Sequence, residues 1–245
     1  MIQPINHYSK SPTLMNSIHT FQVPFQGETL HGESTFGSKG HVLMLHGGGK
    51  DRTVFYKYRD VLDSLGLGTT IFDFIGHGET GGDIHKSSLF NRTMQAEAVI
   101  ASQRLVLTGC VGVSMGAYNA LQLSKAMPLQ SLVLMVPGVY STAAYKIKFG
   151  PDFSAIIRKP RSWEQTDAWD ITAAFNGNLL VIAAEIDAII PSEIPEKLLS
   201  SASRCSQKQL LIVPEAGHNN IWENLMLSPV LYENVRSAFK HCLSH

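Results

Sequence analysis

The 245-residue chain is short of several things that would commit it to a specialised class. It has three cysteines, Cys110, Cys205 and Cys242, with no C-x-x-C pairing. That odd, scattered set argues against a disulfide framework or a cysteine-rich zinc site and fits a reducing compartment. Excess charge is also missing: Lys plus Arg and Asp plus Glu number 20 each, and no like-charged block reaches five or six residues. Nucleic acid and anionic membrane surfaces therefore find no electrostatic footprint. No apolar window approaches the roughly 18 residues needed to span a bilayer. The N-terminal MIQPINHYSKSPTLMNSI holds no signal-peptide core. These absences predict a cytoplasmic protein with no membrane or nucleic-acid partner. Residues 1–17 read as a polar extension, within which Met15 is an alternative start.

What the chain does have is 44% hydrophobic residues in a regular rhythm. Short apolar runs alternate with longer amphipathic ones. HTFQVPF and LHGESTF around QGET predict an opening hairpin. HVLML, TTIFDF, LVLTGCVGV, SLVLMV, NLLVIAA and KQLLIV read as strands. Between them lie helical patterns. Phe55, Tyr58, Val61, Leu62 and Leu65 are helically spaced before Gly66, and Asn91 is a candidate N-cap for the run through Leu105. ENLMLSPVLYENVRSAFKHCL closes the chain as a helix broken near Pro229. Strands alternating with helices predict one α/β domain over 18–245, with a mostly parallel, doubly covered sheet. Residues 139–177, about 39 in number and rich in aromatics and basic side chains, exceed a simple crossover. They read as a small cap insertion over the carboxyl ends of the strands, where ligands bind in open α/β sheets.

Gly112-Val113-Ser114-Met115-Gly116 lies between a strand and a helix and fits G-x-S-x-G. Such a turn strains the serine backbone, lifts its hydroxyl clear of the sheet and leaves it at a helix N-terminus. The two glycines relieve clashes that larger neighbours would make. A serine hydroxyl needs a base to become a nucleophile, and that base is a histidine oriented by a carboxylate, in the order Ser…Asp…His. Asp187 follows one strand and His218 the last, so Ser114, Asp187 and His218 come in order, each after a strand end. Glu185, two residues earlier, is the rival carboxylate. The oxyanion formed by attack needs preorganised donors. The Met115 N–H is one, and the loop His46-Gly47-Gly48-Gly49 supplies the other, from Gly48 with Gly47 as the alternative. His46 and His77, both in glycine turns, read as structural. HGGGKDRT fails the nucleotide-binding pattern, which would need glycine at Met44 and Ser or Thr at Asp51.

Taken together, LHGGG, DFIGHGET, GVSMG, EIDAIIP and AGHN make the chain resemble the α/β-hydrolase superfamily over roughly residues 20–243. One departure is Thr80, where the G-H-G-x-S turn usually has serine. The resemblance implies an eight-stranded, mostly parallel sheet flanked by helices, with Ser114 as nucleophile, Asp187 as acid and His218 as base. It implies a serine hydrolase acting on a small or medium acyl ester, with neither metal nor organic cofactor. Thioesterase, C–C bond hydrolase, peptidase and acyltransferase chemistry would use the same site, and a non-catalytic binding protein could keep the scaffold. Lys146, Lys148, Arg158, Lys159 and Arg161 could hold an anionic leaving portion, although a solvated basic face is the plainer reading.

Overall fold

Alternation of apolar side chains along each strand produces a sheet with two buried faces. In His41–Leu45 (β3), Val42 and Met44 join one hydrophobic cluster while Leu43 and Leu45 join the other. The computed structural model describes residues 17–244; the polar stretch before them, with Met15, lies outside the described residues. His19–Phe25 (β1) and Glu28–Ser34 (β2) form the expected opening hairpin. Gly68–Phe72 (β4), Gly109–Val113 (β5), Ser131–Met135 (β6), Asn178–Ala184 (β7) and Gln207–Val213 (β8) complete the sheet. Its order is β1-β2-β4-β3-β5-β6-β7-β8, antiparallel only where β2 meets β1 and β4.

Helices cover both faces, as a mostly parallel sheet requires. Leu89–Ser102 (α2), Met115–Ser124 (α3), Ala168–Ala174 (α5) and Glu193–Ser201 (α6) bury Leu89, Ala117, Ile171 and Leu198 on one side. Tyr56–Ser64 (α1), Ile221–Leu227 (α7) and Pro229–Leu243 (α8) bury Leu62, Leu225 and Phe239 on the other. The closing helix is broken at Ser228, ahead of Pro229. Helix α2 begins earlier than its sequence suggests. Its N-cap is Ser88, whose hydroxyl accepts the Asn91 N–H at 3.0 Å, so Asn91 already lies within the first turn. No helix of the described residues is long and apolar enough to cross a membrane.

From β3 the chain crosses to β4 on one side, and from β5 to β6 on the other. The loops leaving these two adjacent strands diverge, which opens a crevice at their carboxyl ends, the switch point where ligands bind in such sheets. Residues 139–177 do not roof this crevice. Helix α5 is the crossover helix into β7, and the segment also holds Pro151–Ile157 (α4). Tyr145 packs edge-on to Tyr118 of α3 and Phe90 of α2, while Phe149 N–H donates to the Ser87 carbonyl. The segment lies along α2 and α3 because its aromatic side chains find their apolar partners there.

The loop after β3 is tied down by buried charge. Asp73 beyond β4 accepts the Arg52 N–H at 2.7 Å and pairs with the Arg52 guanidinium. Glu33 of β2 accepts from Arg52 Nε at 3.1 Å, Arg59 Nη2 at 2.9 Å and the Tyr56 hydroxyl at 2.8 Å. Burial alone would raise the Glu33 carboxyl, but these three donors hold it below its usual value of 4.5. Its contribution to stability is therefore complete above that value and is lost as pH falls through the folded one. We expect Glu33→Gln, which leaves Arg59 and Arg52 short of a carboxylate, to destabilise the fold by about 3 kcal/mol at pH 7. The loss should shrink as pH falls below the usual value of 4.5 and through the lower folded one, where the wild type also gives up the charge. Urea unfolding at pH 7 and in that acidic range measures both, and an equal effect at each would refute the assignment.

Candidate active site

Ser114 directly follows β5 and caps α3, with φ 52° and ψ −117°. A residue with a Cβ holds such a conformation at a cost of order 1–3 kcal/mol, and only where its surroundings over-determine it. The surroundings here are backbone. A Cβ on Gly116 would overlap the Leu45 carbonyl at the end of β3 and lie 2.7 Å from the His46 oxygen. A Cβ on Gly112 would lie 2.6 Å from the Ala117 nitrogen. The two glycines thus let α3 start hard against the ends of β3 and β5. Met115 is the first residue of α3, so no carbonyl of its own helix reaches its N–H.

The three residues separated widely in sequence meet at this turn. His218 Nε2 is 3.0 Å from Ser114 Oγ, and His218 Nδ1 is 2.9 Å from Asp187 Oδ2. The other oxygen, Asp187 Oδ1, accepts the N–H groups of Ile189 at 2.8 Å and Ile190 at 2.9 Å, so the loop after β7 aims the carboxylate. With Nδ1–H donating to Asp187, Nε2 is left as the acceptor for the serine hydroxyl. The rival, Glu185, does not take part: its Oε2 accepts the Glu215 N–H at 2.8 Å and braces the β7 and β8 loops together.

Gly47, Gly48, Gly49, Met115, Ser114 and His218 all line one open cavity of about 640 Å³. His46 and His77 take no part in the hydrogen bonds that join Ser114, His218 and Asp187. His46 Nδ1–H donates to the Gly47 carbonyl at 2.7 Å and Nε2 accepts the Phe74 N–H at 3.1 Å, so both ring nitrogens are used. Burial, then the nearby Arg92 charge, holds its pKa well below the usual histidine value. His77 pairs with the Ile75 carbonyl at 3.2 Å and accepts the Gly49 N–H at 3.4 Å. Thr80 fills the departed serine's place: its hydroxyl donates to the Asp73 carbonyl at 2.7 Å and accepts the His31 N–H at 2.9 Å.

The cavity walls differ from the sequence expectation. Of residues 139–177 only Tyr140 lines it. Tyr58, Trp222, Ile189, Val136, Lys50 and Lys57 form much of the rest. None of Lys146, Lys148, Arg158, Lys159 and Arg161 reaches it; Arg161 pairs instead with Glu164 and Glu193. Trp222 lies one residue ahead of the closing helix as the sequence reads it, and helix α7 in fact begins at Ile221 and includes it. Its place at the cavity follows from α7 packing beside α1, where Trp222 meets Tyr58 edge-on at 4.7 Å.

Comparison with known proteins gives the same frame. A model of the alpha/beta hydrolase family matches residues 42–182. Two uncharacterized proteins of Mycobacterium tuberculosis are 28% identical over 189 residues, covering 75% of this chain and 64% of theirs. This chain thus spans less than two thirds of the length of those relatives. An esterase of Pyrococcus furiosus is similar in fold, with a TM-score of 0.69 at 18% identity, covering 98% of this chain and 99% of that one. A monoacylglycerol lipase of Paleococcus ferrophilus gives 0.67 at 17% identity, covering 87% and 98%.

The backbone contacts at the serine turn make a stability prediction. Gly116→Ala should destabilise by about 4 kcal/mol or more, roughly 10 °C in Tm for a chain of this size. Gly48→Ala should fold normally, because a Cβ there meets only the end of the flexible Met115 side chain, at 3.5 Å. Thermal denaturation of both variants checks the contrast; a wild-type Tm for Gly116→Ala would contradict the close approach.

Proposed function

The chain belongs to the alpha/beta hydrolase family, and we propose that it is a serine hydrolase cleaving small or medium acyl esters through an acyl-enzyme. One observation carries this reading: the continuous relay from Asp187 through His218 to Ser114 at the floor of an open cavity. The reading places the protein in the cytoplasm, in keeping with its three unpaired cysteines.

In this mechanism Ser114 Oγ attacks the ester carbonyl as its proton passes to His218 Nε2. Asp187 holds the imidazole in the required tautomer and stabilises the cation that forms. The carbonyl oxygen becomes an oxyanion, met by the N–H groups of Met115 and Gly48. His218 returns the proton to the leaving alkoxide as the C–O bond breaks. Water then repeats the sequence on the acyl-enzyme and frees the acid. A cavity of about 640 Å³ suits a ligand of ordinary small-molecule size. Its walls mix aromatic and aliphatic side chains with Lys50, Asp51, Asn219 and Glu223 near the protein surface.

The wild type should hydrolyse p-nitrophenyl butyrate and be labelled by a fluorophosphonate probe. Ser114→Ala should abolish labelling and lower kcat by about 10⁴-fold or more, and Asp187→Asn should lower kcat by about 10²- to 10⁴-fold. Turnover by folded Ser114→Ala at the wild-type rate would refute the assignment. An acyl-CoA arm in the same panel separates oxygen esters from thioesters. A wild type that neither turns over nor labels would favour a binding protein on this scaffold.

A further inference from the structure

Helix α2 carries a cation where its buried stripe calls for a hydrophobe. Leu89, Ala96 and Val99 form that stripe, and Arg92 lies on it, 1% exposed. Among the described residues it makes no ion pair with a carboxylate, and its Nε has no hydrogen-bond partner. Burial pulls its pKa down to about 9, which leaves it charged at neutral pH. A buried, unpaired cation is destabilising relative to an apolar side chain of similar volume. Packing alone therefore gives no reason for arginine at this position.

Its surroundings supply one. The guanidinium stacks 3.8 Å over the Phe74 ring and points its two amino groups at the back of the glycine loop. Nη2 donates to the His46 carbonyl, and Nη1 and Nη2 each lie 3.5 Å from the Gly47 carbonyl oxygen. That same oxygen accepts His46 Nδ1–H at 2.7 Å. The Gly47 carbonyl is thus drawn into the protein from two sides. In a trans peptide the C=O and the following N–H point in opposite directions. The Gly48 N–H is therefore turned away from Arg92, toward the cavity that Gly48 lines with Ser114 and Met115. The Gly49 N–H is already taken by His77.

We propose that Arg92 is a positioning residue that clamps the Gly47–Gly48 peptide with the Gly48 N–H facing the reacting carbonyl, and that its uncompensated charge polarises that peptide toward a developing oxyanion. The proposal rests on the serine-hydrolase reading. It selects Gly48 over Gly47 as the second donor. The charge lies behind the loop, out of contact with substrate, so it should act on the transition state and leave substrate binding alone.

The test compares wild type, Arg92→Lys and Arg92→Gln. Active sites are titrated with a fluorophosphonate, so that a misfolded fraction does not count. For each protein, kcat per titrated site, KM, and the inhibition constant of a trifluoromethyl ketone, whose serine adduct carries an oxyanion, are measured. Losing or misaiming one donor predicts a fall in kcat of about 10²-fold for Gln and less for Lys, which keeps the charge. KM should stay within threefold, and the ketone should weaken in proportion to kcat/KM. A merely structural arginine would lower Tm and the number of titratable sites, with kcat per site and ketone affinity within threefold of wild type; that result overturns the proposal. A wild type that neither hydrolyses esters nor binds the ketone instead refutes the hydrolase reading, and the proposal with it. Should neither variant fold, NMR of the wild type decides. Ketone binding should move the Gly48 amide proton downfield together with the Arg92 guanidinium resonances, and no change at either overturns the clamp.

Discussion

The site depends on two backbone segments approaching closer than side chains would permit. Gly116 brings the first turn of α3 against the carbonyls of Leu45 and His46, and Gly112 lets the same turn sit on β5. That approach holds Ser114 at φ 52°. A serine forced into this conformation cannot relax into either the strand before it or the helix after it. Its hydroxyl stands free at the end of the sheet, within 3.0 Å of the His218 imidazole. The same proximity brings the loop after β3 beside the N-terminus of α3, so that both border one cavity.

Two buried arginines support that loop in opposite ways. Arg52, on its far end, is neutralised by Glu33 and Asp73 and reached by Glu79, an arrangement that anchors the chain. Arg92, beneath its near end, faces carbonyl oxygens, an aromatic ring and the Met115 sulfur, with Tyr140 nearby, and no carboxylate among the described residues pairs with it. A paired charge has little field left to project, whereas an unpaired one in a low-dielectric interior acts over several ångströms. The loop is thus fixed in place by the first and, on the proposal made above, oriented and polarised by the second. The strain at Ser114 and the desolvation of Arg92 both oppose stability, and both bear on the turn and loop beside the candidate site, where proteins commonly store such costs.

On the proposed reading, substrate choice follows from the walls of the cavity. These come from the first helical turn after the glycine loop and from the α7 region, with Tyr58 and Trp222 in edge-on contact between them. The aromatic segment 139–177 contributes Tyr140 and otherwise packs on α2 and α3. Through Tyr145 and its neighbours it braces α2 and so bears on Arg92, which α2 carries, rather than roofing the cavity.

The sequence by itself determined the eight strands, their alternation with helices, and the order Ser114, Asp187, His218 with each residue just past a strand end. These are local properties: a two-residue apolar period, a helical period, and glycines flanking a serine act within a few residues of themselves. The N-cap of α2 lay three residues outside that reach, because Ser88 and Asn91 are both good caps and only the backbone shows which one starts the helix. The tertiary structure decided the rest. It showed where the loop turns the two carboxylates, Asp187 to the His218 imidazole, in keeping with the sequence preference, and Glu185 to the Glu215 N–H. It sent the aromatic insertion to the helices and gave the cavity to Trp222 and Tyr58. It also put Arg92 behind the Gly47 carbonyl, a contact spanning 45 positions in the chain. A helical pattern marks Arg92 as out of place on an apolar stripe, but what lies opposite that stripe is set by the packing of α2 on the sheet, which no local pattern encodes.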